Sequence, residues 1–210
     1  MNRHLQEFSL ESKMNIEIEK VWFGKIEDMS QLKKAKEIIF IEQWDIKTRG
    51  DIPRSDCVRV RNYNHKEYEL TIKKDLRPTG KDGSIEKKVK VDKETFETFK
   101  MIAIAGVIKE RHIFPLDNHL TWEVDVFQDI HGKKYDWCKI DLELPSSYLA
   151  GKSSDDVNIK APFPITLSEV IDGIKRTPEA NNFIQNELYK KRFFVYNPNS
   201  ILPVEEGFKV

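Results

Sequence analysis

Asp141-Leu142-Glu143-Leu144, in the middle of the chain, and Glu17-Ile18-Glu19, near its start, repeat one pattern: carboxylates at every second residue, with an aliphatic between them. Successive side chains of a β-strand point to opposite faces, so each segment projects both acids to one side and its aliphatic residue to the other. Intervening segments carry cations on the same period: Arg59-Val60-Arg61, Lys73 at the end of Leu70-Thr71-Ile72-Lys73, and Lys109-Glu110-Arg111. Glu123 and Asp125 alternate with apolar residues in Trp122-Glu123-Val124-Asp125-Val126-Phe127. Carboxylates suit a hard metal ion, and guanidinium and ammonium groups suit phosphate oxygens. Gathered on sheet faces, they point to a polyphosphate site.

The totals narrow the alternatives. In 210 residues, 35 Lys plus Arg balance 35 Asp plus Glu, so no net field draws in nucleic acid or an anionic membrane, and any basic site must be local. No apolar run approaches the roughly 18 residues of a membrane helix, and Met1-Asn2-Arg3-His4-Leu5-Gln6 lacks the apolar stretch of a signal peptide. The expectation is a cytoplasmic protein with no membrane and no specific nucleic-acid partner. Cys57 and Cys138 lie in strand-like segments without sulfur or histidine at ligand spacing, which reads as structural thiols rather than a zinc site.

Alternation predicts strands near 15–24, 57–64, 67–75, 84–91, 106–114, 120–129 and 135–145, with a less regular apolar candidate at 38–47. Ser30 is a candidate cap for a helix to about Glu37, and Asp92 for a second over Lys93–Ala103 with an apolar stripe at Phe96, Phe99 and Ala103. Thr166-Leu167-Ser168-Glu169 reads as a capping box for a third, and Thr177-Pro178 opens a further helix to about Lys191. The organisation expected is an N-terminal extension at 1–13, one domain at 14–191 and a tail at 192–210.

Parity decides the architecture. Glu17, Glu19, Arg59, Arg61, Lys73, Glu86, Lys109, Arg111, Glu123, Asp125, Asp141 and Glu143 share one face of their strands. Trp22, Val58, Val60, Leu70, Ile72, Val89, Ile108, Trp122, Val124, Ile140, Leu142 and Leu144 take the other. About eight strands are enough for a sheet to close on itself, so the expected fold is α+β: a closed antiparallel eight-stranded β-barrel, charged within, with helices packed outside.

With six of these pieces in order, the chain resembles the CYTH superfamily, the triphosphate tunnel metalloenzymes, over roughly Asn15–Pro145. The pieces are Glu17-Ile18-Glu19, Arg59-Val60-Arg61, Leu70-Thr71-Ile72-Lys73, Lys109-Glu110-Arg111, Trp122 to Phe127, and Asp141-Leu142-Glu143-Leu144. Two positions depart from the pattern. Val21 stands where the family carries lysine, and Glu86-Lys87-Lys88 stands where it usually has two alternating acids.

The resemblance implies a hydrolase of a triphosphate-containing substrate, dependent on magnesium or manganese, whether inorganic triphosphate, thiamine triphosphate or a nucleoside triphosphate. Under it, Glu17, Glu19 and Glu143 hold the metal, and Glu19, Asp141 and Glu143 form the catalytic set, with Asp141 as outer ligand or water-orienting base. Arg59, Arg61, Lys73, Lys109 and Arg111 bind phosphate. Glu86, Lys88, Glu123 and Asp125 have tunnel roles left open between a second metal and the fixing of basic side chains. An adenylate cyclase of the same superfamily is one alternative. A non-catalytic module that sequesters a phosphorylated nucleotide or polyphosphate is the other.

Overall fold

The computed structural model describes residues 15–46, 57–76, 83–103, 105–116, 120–129, 131–144 and 162–172. The expected extension at 1–13, the expected helix at 177–191 and the expected tail at 192–210 lie outside them. The elements are β1 (Asn15–Ile26), a 3-10 helix (Met29–Lys34), β2 (Glu37–Ile46), β3 (Cys57–Tyr63), β4 (Glu67–Asp75), β5 (Ser84–Val91), α1 (Lys93–Met101), β6 (Ala105–Pro115), β7 (Thr121–Gln128), β8 (Lys134–Leu144) and β9 (Leu167–Asp172). All eight expected strands are present, with ends within two residues of those read from alternation.

Local chemistry fixes the connections. Asn64 and His65 turn the chain from β3 into β4 at φ of 52° and 58°, the left-handed region that asparagine tolerates better than most residues. The Asn64 side chain also accepts a hydrogen bond from the Phe40 amide at 2.9 Å. Asp92 caps α1 by accepting from the Thr95 amide at 2.7 Å. The first expected helix is only a 3-10 turn, and its cap is Asp28, which accepts from the Ser30 amide at 2.8 Å.

The sheet order is β5-β4-β3-β2-β6-β7-β8-β1-β9, with an additional β5–β1 pairing. Every pairing is antiparallel. β1 is divided among three partners: Asn15–Glu17 with β5, Ile18–Lys25 with β8, and Trp22–Ile26 with β9. This corrects the expectation of a closed eight-stranded barrel. The sheet has nine strands, β9 lies along the second half of β1, and β5 meets β1 over three residues only, so the sheet curls without closing into a barrel. The outer helices are also fewer than expected, α1 and the 3-10 turn being those found among the described residues.

β9 replaces the helix expected after Thr166. Gln31 donates to Thr166 Oγ1 at 3.1 Å and accepts from the Thr166 amide at 2.8 Å, while the Glu27 amide donates to the Thr166 carbonyl at 3.2 Å. Those bonds hold the segment extended against β1, where Ile171 lies opposite Phe23 and Val170 opposite Gly24. An available strand edge and β-branched side chains outweigh the local capping signal.

Two apolar clusters cover much of the face opposite the charges. One joins Trp122, Val124, Val126, Ile140, Leu142 and Leu144 to Leu32 and Ile165, with Trp22 edge-on to Trp122 at 5.4 Å between ring centroids. The other seats Phe96 and Ala103 on Trp44 and Val60. Ile72 and Val89 belong to that face by parity yet remain 46% and 40% exposed, so cover there is incomplete among the described residues.

Phe96 anchors α1 with no exposed surface, and Phe96→Ala should cost about 3–5 kcal/mol. Gly106→Ala, whose added Cβ would sit 2.6 Å from the Trp44 ring, should cost about 1–3 kcal/mol. Urea denaturation measures both, and a loss below about 1 kcal/mol for Phe96→Ala would contradict this packing.

Candidate active site

Charges on strands that are not neighbours in the sheet reach one another, because the sheet curls around their face. Arg59 on β3 donates to Glu86 on β5 at 2.9 Å. Arg111 on β6 stands 3.9 Å from Asp141 on β8. Lys73 on β4 contacts Glu19 on β1. Lys88 lies 3.7 Å from Glu86 and is the more exposed of the two.

Asp125 is the centre of the β6–β8 side. It has no solvent exposure and accepts from Arg111 Nε at 2.7 Å and Nη2 at 2.9 Å, while Lys109 contacts the same carboxylate. Cross-strand register produces this: Arg111 lies directly opposite Asp125, and Lys109 is opposite the next same-face residue, Phe127. Arg111 also contacts Glu123. The structure thus brings Lys109, Arg111, Glu123, Asp125 and Asp141 together, with Glu123 and Asp125 in contact with basic side chains.

Arg61 is held differently. It is buried, and its Nε donates to Gln43 Oε1 at 2.9 Å and its Nη1 to the Tyr63 hydroxyl at 3.2 Å. Tyr63 donates onward to Glu69 at 3.2 Å, and Thr71 donates to the same oxygen at 2.9 Å. Among the described residues no carboxylate lies within ion-pair distance of Arg61. Nearby, Arg59 Nε is buried with no hydrogen-bond partner, and so is Asp141 Oδ1.

Burial and mutual charge set the protonation of the cluster. Burial works to raise Glu19, but Lys139, Lys73 and Arg59 overcome it and hold the carboxyl well below the usual range. Burial likewise opposes the ionised Asp125, and Arg111 and Lys109 again prevail. Asp141 moves up, through burial and the nearby Glu19 and Asp125 carboxylates, against Lys139 and Arg111. Asp45, beside Gln43, is raised by burial. Glu123 rises to about 7, pushed by burial and by Glu143, Asp125 and Asp141 in spite of Arg111. Lys109 falls to about 7 because burial disfavours its charge, with Asp125 opposing and Arg111, Arg61 and Lys139 adding repulsion.

The oxygen donors suit a hard divalent ion. Glu19 and Glu143 face each other directly across β1 and β8, and Asp141 carries the unpartnered oxygen. Among the described residues no three carboxylate, imidazole or thiol groups are gathered as a ready metal cluster. Glu17, the third expected ligand, has a side chain outside those described.

Lys139 is a member of the site that alternation in β8 should have revealed, since it precedes Asp141 by two residues; its Nζ lies 2.5 Å from Asp141 Oδ2 and 3.8 Å from Glu19 Oε2. Glu69 shares the parity of Lys73 on β4 and was likewise within reach of alternation. Gln43, Asp45, Tyr63 and Thr71 were not legible as site residues, because β2 is irregular there and Tyr63 and Thr71 are neutral.

No family model matches the chain, and no curated protein matches it. Similar solved structures include the inorganic triphosphatase NE1496, with 20% identity over 80% of this chain and 95% of that one and a TM-score of 0.46. PH1819 from Pyrococcus horikoshii has 17% identity over 66% and 81%, with a TM-score of 0.42. HpAC1 from Hippeastrum, described as having a dominant triphosphatase activity, has 12% identity over 63% and 81%, with a TM-score of 0.43. No helix among the described residues is long and apolar enough to cross a membrane.

Glu123 supplies a pH test. Its pKa is higher in the folded protein than in the unfolded chain, so the folded state binds more protons between about 4.5 and about 7 and loses stability as pH rises through that window. Glu123→Gln should match the wild type near pH 4.5 and exceed it at pH 8 by on the order of 1–3 kcal/mol. Parallel urea curves at both pH values, with no change in the difference between variant and wild type, would contradict the burial of this carboxyl.

Proposed function

We propose that the charged face binds and hydrolyses a triphosphate-containing substrate. The observation that carries this reading is Arg61, a buried guanidinium held by neutral partners, beside Arg59 with its unpartnered Nε. Burying the Arg61 guanidinium without a carboxylate opposite, or the Arg59 Nε without any acceptor, is costly unless an anionic ligand completes them. Arg59 and Arg61 offer planar forks to phosphate oxygens, while Lys73, Lys109 and Arg111 add charge from β4 and β6. A single phosphate is too small to meet cations spread over three strands, which favours a polyphosphate chain.

Glu17, Glu19 and Glu143 would hold magnesium or manganese, and that ion would neutralise phosphate charge and polarise the phosphoryl group. Asp141 stands beside them with one buried oxygen free to accept a proton from an attacking water. Arg111, fixed by Asp125 and Glu123, keeps its charge aimed at the same region, so the protein's part in phosphoryl transfer is alignment and charge stabilisation.

The sequestering module is a second reading with its own support. Val21 packs against Phe23, so β1 supplies an apolar group rather than a cation at this point of the charged face. A panel of inorganic triphosphate, thiamine triphosphate and nucleoside triphosphates with each metal, read by phosphate release, separates the two. Turnover should occur with at least one member and fall by about a thousandfold or more in Glu19→Gln, while Arg59→Ala should weaken the apparent substrate affinity by about tenfold or more. Binding without turnover would leave the sequestering module, and ATP converted to cyclic AMP would establish the cyclase.

A further inference from the structure

We propose that Lys139 is a phosphate-binding residue of this site, serving the seam between β1 and β8 where β1 itself offers no cation. The proposal rests on the triphosphate reading and extends it to a residue that neither motif nor resemblance singled out.

The register isolates Lys139. On β1, Phe23 lies directly opposite Lys139 and Val21 directly opposite Asp141. Both are apolar, and Phe23 packs against Val21 and against Ile171 from β9, so neither residue opposite this part of β8 competes for the ammonium. The side chain is only partly buried, at 28% exposure.

Its pairing leaves capacity. An ammonium has three donors. One serves Asp141 at 2.5 Å, and Glu19 at 3.8 Å is within ion-pair distance but beyond a hydrogen bond. Neither carboxylate depends on Lys139 alone: Glu19 also contacts Lys73, and Asp141 has Arg111 at 3.9 Å. Lys139 can therefore turn donors toward an incoming anion without stranding a buried charge.

The surrounding field supplies the reason to do so. Lys109 is repelled by Arg111, Arg61 and Lys139, which arrive from β6, β3 and β8. Cations converging from separate strands are stabilised together by one extended anion. Arg59 and Arg61 on β3, Lys73 on β4, Lys109 and Arg111 on β6 and Lys139 on β8 would then contact successive parts of a polyphosphate.

Calorimetry with inorganic tripolyphosphate, in EDTA to prevent turnover, tests the assignment on the full chain. Lys139→Met keeps most of the stem and removes the charge; it should weaken binding by about tenfold or more and flatten its salt dependence, while Lys139→Arg should stay within about threefold. A purely structural ion pair would lower the melting temperature of Lys139→Met and leave affinity alone. Folded Lys139→Met binding within about twofold of wild type, alongside Arg61→Ala that has lost binding, would overturn the role of Lys139 and spare the triphosphate reading. No binding by the wild type, or binding unchanged in Arg61→Ala, would overturn both. Should Lys139→Met fail to fold, lysine acetylation of the wild type decides: tripolyphosphate should protect Lys139 as it protects Lys73 and leave Lys134 unaffected. Protection of Lys73 without Lys139 would refute the proposal.

Discussion

Buried charge is tolerated in this protein because nearly every cation on the inner face meets a carboxylate from another strand, and the Asp125 carboxylate is the tightest case. Two cations, Lys109 and Arg111, converge on this carboxylate, which has no solvent exposure. Removing one member of such a group leaves an uncompensated charge at a cost of about 3–5 kcal/mol, so the pairs constrain register as firmly as the apolar clusters behind them. A one-residue slip between β6 and β7 would send Arg111 and Asp125 to opposite faces.

That balance also shapes what a ligand meets. Under the proposed function, a polyphosphate entering the site would meet cations already paired with carboxylates, apart from Arg61 with its neutral partners, and would have to exchange places with those carboxylates. The displaced acids have two outlets, a divalent ion or a proton. Glu19 is held ionised by Lys139, Lys73 and Arg59 and suits the ion. Glu123, already raised to about 7, suits the proton. Under the proposed function, metal, substrate and protonation would be linked through one set of side chains, which would account for so many acids on a face that binds an anion.

Alternation made the strands legible, because a half-buried strand must separate charged from apolar residues every second position. It also located Arg59, Arg61, Lys73, Lys109, Arg111 and Asp141 on a common face. β9 was not legible: Thr166 to Glu169 carries a genuine capping pattern, and only the β1 edge and Gln31, 135 residues away in sequence, decide against it. The division of β1 among three partners is equally non-local, so parity could foresee a curled sheet but not where it stops closing. Gln43 and Tyr63 orient Arg61 as neutral groups, and charge patterning is blind to them. Ile72 and Val89 show the converse limit, since parity assigns a face but not what covers it.

The central claim is that the paired charges form one polyphosphate site. A crystal structure with tripolyphosphate and manganese tests it most directly, with the metal located by its anomalous signal. The account predicts phosphate oxygens against Arg59, Arg61, Lys73, Lys109 and Arg111, with manganese on the carboxylates of β1 and β8. A polyphosphate seated instead on the opposite face of the sheet, among residues such as Lys74 and Lys87, would contradict it.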